Sequence, residues 1–160
     1  MEKQILLDVQ TRLSDKVPVL RYIDKDWGQL NEERPAVNFP CAVLDVDSVR
    51  YEDLNAGYQN AEAVLTVTIA DLRTLSSSAG SPQREDAFAI FDIIQSVHNA
   101  LQHYASHSFV PLVRISMQRI PATKGYECYE LKYATAFKCE APPRNVVEVM
   151  AGLSVTPQYQ

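Results

Sequence analysis

A chain of 160 residues with 46% hydrophobic and 22% charged side chains holds enough for one ordinary core and too little for two, so one domain is expected. The net charge of -5 resides in the first half, where residues 1–80 carry 13 acidic and 8 basic side chains against 7 of each in residues 81–160. Neither half clusters Lys and Arg as phosphate tracking requires, which argues against tight nucleic-acid binding, and no run approaches the ~20 apolar residues of a membrane span.

The opening EKQILLDVQTRLSD places Ile5, Leu6, Val9 and Leu13 on one helical face, with Val17 near its continuation and Pro18 as the stop. Val19 to Ile23 reads as a short extended segment. Residues 24–38, DKDWGQLNEERP and its sequel, show charges, Gly28 and Pro35 but no sustained period, and predict a long loop with Trp27 and Leu30 as apolar anchors. Trp27 then either tucks onto the core or meets a partner.

Strand patterning starts at Phe39: FPCAVLDVDSVRY, a turn around NAGY, then AEAVLTVTIADL, an antiparallel hairpin. In its second arm Ala63, Leu65, Val67 and Ile69 make a buried face, and Glu62, Val64, Thr66 and Thr68 a mixed one. RTLSSSAG is a flexible connector. Ser81 to Tyr104 predicts the principal amphipathic helix, with Ser81 as cap, Pro82 at the first helical position, and Glu85 and Asp86 against the positive end of the dipole. Ala87, Ile90, Phe91, Ile94, Val97, His98, Leu101 and Tyr104 form its stripe. Phe88 and Ile93 fall outside that stripe on two flanks, so either the helix is buried more broadly than usual or, the reading preferred here, its exposed side meets another subunit.

A second hairpin follows. Val113, Ile115 and Met117 alternate with Arg114, Ser116 and Gln118; PATKGYE turns the chain; CYELKYATAFKCE then sets Tyr129, Leu131, Tyr133, Thr135, Phe137 and Cys139 opposite Glu130, Lys132, Lys138 and Glu140. Residues 142–160 are expected to be an extended C-terminal tail beyond a domain of residues 1–141, with an apolar patch of Val146, Val147, Val149 and Met150 suited to a neighbour. The fold class is α+β: a mostly antiparallel sheet of two hairpins and a short strand, with two amphipathic helices on one face.

Residues able to carry chemistry do not converge in the sequence. Asp45 and Asp47 would stand ~7 Å apart on one strand face, where they could hold a divalent cation or serve as a solvated face that discourages edge pairing. A small hydrolase or metal-dependent enzyme is the enzyme reading that this pair permits. His98 and His103 lie on nearly opposite sides of the helix, so His98 is expected to be a hydrogen-bonded core residue and His107 joins no ligand set. Cys41, Cys128 and Cys139 form an odd set without a CxxC pair; with no cleavable leader read before the first helix, they suggest a reducing cytoplasm, and the spacing of Cys128 and Cys139 puts them on opposite strand faces. The five glycines are too scattered for a phosphate cradle. The expectation is no catalytic, cofactor or metal site, and three apolar surfaces, at Trp27, at Phe88 with Ile93, and in the tail, that suit a ring needing two different contacting sides per subunit.

From residue 2 to about 140 this order of elements resembles the tail-terminator and tail-completion proteins found at the neck of long-tailed bacteriophages. The features that carry the resemblance are the opening helix, the short strand and long loop, the hairpin FPCAVLDVDSVRY to AEAVLTVTIADL, the helix EDAFAIFDIIQSVHNAL, and the hairpin VRISMQRI to CYELKYATAFKCE. KDWGQLNEERPAVNFPCAVLDVD is similar to prophage-encoded members. The resemblance implies a structural subunit without catalytic residues. It would form a hexameric ring that caps the tail tube and joins it to the head, in contact with tail-tube and head-connector proteins, in the virion and, during assembly, in the host cytoplasm. It also implies an acidic channel through which DNA passes without specific binding, with Asp45 and Asp47 suited to its lining. The tail after Ala141 is longer than that fold needs. A soluble cytoplasmic α+β module, dimeric and binding a small ligand in an enclosed apolar pocket, is the alternative.

Overall fold

The computed structural model describes residues 1–54, 57–121 and 125–141. Helix α1 spans Glu2–Lys16 and buries Ile5, Val9 and Leu13, the residues its 3.6-residue period selects. It stops one residue before Val17, whose N–H still reaches Leu13 O at 2.9 Å, because Pro18 has no N–H to continue the ladder. The chain turns through Leu20 and enters β1, Tyr22–Lys25, slightly later than the extended segment expected from Val19.

Strands β2, Cys41–Asp53, and β3, Tyr58–Leu72, form the first hairpin, and β4, Val113–Ile120, and β5, Tyr126–Glu140, the second. The hairpins join through β3 and β5, which pair antiparallel along their whole length, so the sheet order is β1-β2-β3-β5-β4. Only β1, among the described strands, runs parallel to its neighbour, pairing Tyr22–Lys25 with Cys41–Leu44. The fold is therefore α+β with a mixed five-stranded sheet and two helices. The alternation read from β3 and β5 holds: Ala61, Ala63, Leu65, Val67 and Ile69 meet Leu131, Tyr133 and Phe137 in one cluster beneath the helices.

Helix α2 is shorter than Ser81–Tyr104. Ser81 Oγ accepts from Gln83 N at 3.2 Å, as a local cap would, but residues 82–85 are turns, Asp86–Phe88 a single 3-10 turn, and the α-helix proper runs Ala89–Leu101. Ile90 is the first fully buried residue of the segment, so the preceding turns have little packing to hold them helical. The buried arc is also rotated from the expected stripe: Ile93 is 6% exposed and Ala100 is buried, whereas Phe91 is 40% exposed. The cause is α1. It packs beside α2, with Arg12 Nε donating to Ala100 O at 2.9 Å and the Arg12 guanidinium 4.9 Å from the Tyr104 ring centroid, so α2 has two surfaces to satisfy instead of one.

The opposite face of the sheet is not bare. Leu30, Val37 and Phe39 of the loop between β1 and β2, with Tyr22 and Ile120, cover a second cluster of Cys41, Ala70, Tyr126 and Cys128. The loop is tied down by Gln29, fully buried, whose Nε2 donates to Lys25 O at 3.0 Å and whose Oε1 accepts Trp27 N at 2.9 Å. Tyr126 Oη donates to Leu30 O, and Phe39 packs on the Tyr126 ring at 5.4 Å. Gly28, at φ 92°, supplies the left-handed turn before the 3-10 segment Gln29–Asn31.

Candidate assembly surface

Each sequence-selected surface residue has a distinct fate. Trp27 is 60% exposed, with Nε1 donating to Asp24 Oδ2 at 3.4 Å, while Leu30, three residues on, is packed against the second cluster. The loop is thus anchored by Leu30, and Trp27 stands outward. Phe88 is 48% exposed and touches Phe91, their centroids 6.2 Å apart. Ile93, expected on the outside, belongs to the core, because α1 occupies the flank of α2 that a lone amphipathic helix would leave open. Val146, Val147, Val149 and Met150 lie outside the described residues.

Asp45 and Asp47 lie on an irregular stretch of β2. The ladder between β2 and β3 shifts between Val46 and Ser48, making Asp47 the extra residue of a bulge. Asp47 takes Lys132 Nζ at 2.8 Å, which raises the Lys132 pKa, and Lys132 also approaches Glu130 at 3.7 Å. Asp45 turns back on its own strand, accepting Val46 N at 2.9 Å. Both are exposed. Among the described residues no three His, Cys, Asp or Glu side chains gather as a metal site would require.

His98 is also not the hydrogen-bonded core residue expected. It lies half-buried against Tyr133, with ring centroids 6.4 Å apart, and its Nδ1 has no partner among the described protein atoms. Burial first, and the Arg114 charge second, hold its pKa below the ordinary 6.5. Burial likewise pushes the Tyr133 hydroxyl up to about 12, and the thiols of Cys41 and Cys128 to about 12 and about 11. These thiols are packing groups rather than nucleophiles. Cys128 and Cys139 face opposite sides of β5, as their separation requires.

The surface that the sequence reading missed is β4. Val113, Ile115 and Met117 are 44%, 55% and 45% exposed, and Val110 extends the apolar edge. A bulge between Arg114 and Ser116 leaves Ile115 without an opposite residue. Among the described strands β4 has a partner only in β5, so its other edge meets no described strand, and there Arg114 N–H donates to Gln102 Oε1 at 3.0 Å. At the opposite edge β1 ends against Leu44 and leaves a notch of about 530 Å³ between α1 and β2, lined by Leu6, Leu7, Asp24, Asp45, Val46 and Val49. A second groove, about 600 Å³, runs past Val64, Val110, Val113 and Ala134. Both open to solvent, unlike the enclosed pocket of the ligand-binding reading. No described helix is long and apolar enough to cross a membrane.

No family model and no curated protein matches the chain. A solved structure does: a chain from the "Virion of native gene transfer agent (GTA) particle", at 13% sequence identity and a TM-score of 0.56, covering 82% of this chain and 92% of that one. The two share a fold. At this identity the likeness concerns backbone arrangement and assigns no residue a role.

Proposed function

We propose that the protein is a structural subunit of a phage-like virion, of the tail-terminator type, which assembles into a ring of about six copies that caps the tail tube and joins it to the head. The observation that carries the reading is the fold shared with nearly the whole of a chain from a gene transfer agent virion. It agrees with the resemblance in element order, which rests on different information. Exposed Trp27, Phe88 and the β4 edge supply apolar area on separate sides of the molecule, as closed head-to-tail association requires. The role is structural, not enzymatic, and its partners are further copies, tail-tube proteins and head-connector proteins. Acidic side chains such as Asp45 and Asp47 would face the DNA path and limit adhesion.

Sedimentation velocity across a wide concentration range, alone and with purified tail tubes, tests this. A discrete ring-sized species, or a ring seen at tube ends by negative-stain microscopy, is expected. A chain that stays monomeric under both conditions overturns the proposal.

A further inference from the structure

The sheet ends in two unlike edges. On one side β4 exposes Val113, Ile115 and Met117, and its eight residues include Arg114 and Arg119 but no acid. On the other, β1 pairs with only four of the thirteen residues of β2, so no described strand pairs with the outer edge of Asp45–Asp53. This free half carries Asp45, Asp47, Glu52 and Asp53 against one base, Arg50. Leu6 and Leu7 of α1, with Val46 and Val49, give its notch an apolar floor. An open strand edge with apolar side chains invites another strand, and evolution usually blunts it with lysines or prolines; β4 contains neither.

We propose that β4 of one copy adds to the free half of β2 in the next copy, antiparallel, so that the sheet runs on from subunit to subunit. This rests on the ring reading above and names the surfaces that close the ring. Directions agree, because β2 and β5 run the same way and β4 runs against them; continuing the sheet without inverting a subunit sets β4 antiparallel to β2. Lengths agree, since eight residues of β4 meet the nine left free on β2. Charges agree as well. In antiparallel order a strand with two bases and no acid lies along a strand segment that carries four acids and one base. Each strand also holds one bulge in this stretch, at Ile115 and at Asp47. The contact is heterologous: edge A meets edge B, and each copy offers both.

The test blocks one edge at a time in the full chain. One variant carries Ile115→Glu with Arg119→Glu; the other carries Leu7→Lys with Asp45→Lys. All four positions are exposed, and circular dichroism confirms folding; if a double variant is unfolded, Ile115→Glu and Leu7→Lys alone replace it. Each blocked variant should associate at least about tenfold more weakly than the unmodified chain. An equimolar mixture should then form dimers and stop, because each pair has one good interface and two blocked ends. Ring assembly by either variant as by the unmodified chain, or a mixture that gives no dimer, overturns the edge pairing while leaving the ring reading intact. Failure of the unmodified chain itself to associate overturns both.

Discussion

Strands β4 and β5 are neighbours with similar alternation, yet they meet different fates. In β5, Tyr129, Leu131, Tyr133 and Phe137 are buried beneath the helices, with Phe91 of α2 closing over Tyr129 at 5.2 Å. In β4, Val113, Ile115 and Met117 alternate in the sequence, but the bulge at Ile115 sends Val113 and Met117 to opposite faces, and all three remain exposed. Alternation reports which face of a strand is apolar; position in the sheet decides whether anything covers it. A central strand gains its cover from its own chain, whereas an apolar edge strand must find it elsewhere.

The largest effect that could break this contrast is at its centre. Leu131→Ala should cost about 2–5 kcal/mol, since it empties a fully enclosed site. Ile115→Ala, one strand away, should stay within about 0.5 kcal/mol of the monomer's stability. Urea denaturation at concentrations where the chain is monomeric reads both, and equal losses would show that the two strands are covered alike. The face opposite the helices offers a smaller effect. Gln29→Ala leaves Trp27 N–H and Lys25 C=O without their partner and should cost about 1–3 kcal/mol, with a change in Trp27 fluorescence as the loop loosens. An unchanged denaturation midpoint would mean that the loop is held by Leu30, Val37 and Phe39 alone.

The smallest effect is in pH. The folded-state pKa of His98 lies below its ordinary 6.5, so the unfolded chain binds that proton more readily. The stability it contributes is whole above 6.5 and is lost as pH falls through that value toward the depressed one. In His98→Phe the slope of stability against pH in this window should flatten; an identical slope would assign it to other groups.

How far these features were legible varies by residue. The inward faces of β3 and β5 were, because the side chains that meet the helices recur at every second residue. Both helices were readable too, but the start of α2 was not: Ser81, Pro82, Glu85 and Asp86 make a good local beginning, and the turns there have too little core contact to become α-helix. Ile93 was assigned outward by geometry that assumes one buried stripe, and the second helix supplied another. Asp45 and Asp47 look like a pair until the bulge separates their roles, and bulges leave no dependable trace in composition.

From the sequence alone come the kinds and order of the elements and the side of each strand that turns inward, since those follow from periods of 3.6 and 2 along a single segment. Which segments become neighbours was decided only in three dimensions: β3 against β5, α1 beside α2, the loop with Gln29 and Leu30 across the second face, and β4 left at an open edge. The physical reason is range. A period is a property of residues a few places apart, whereas burial depends on surfaces brought together from distant parts of the chain, as Arg12 meets Ala100 across 88 residues.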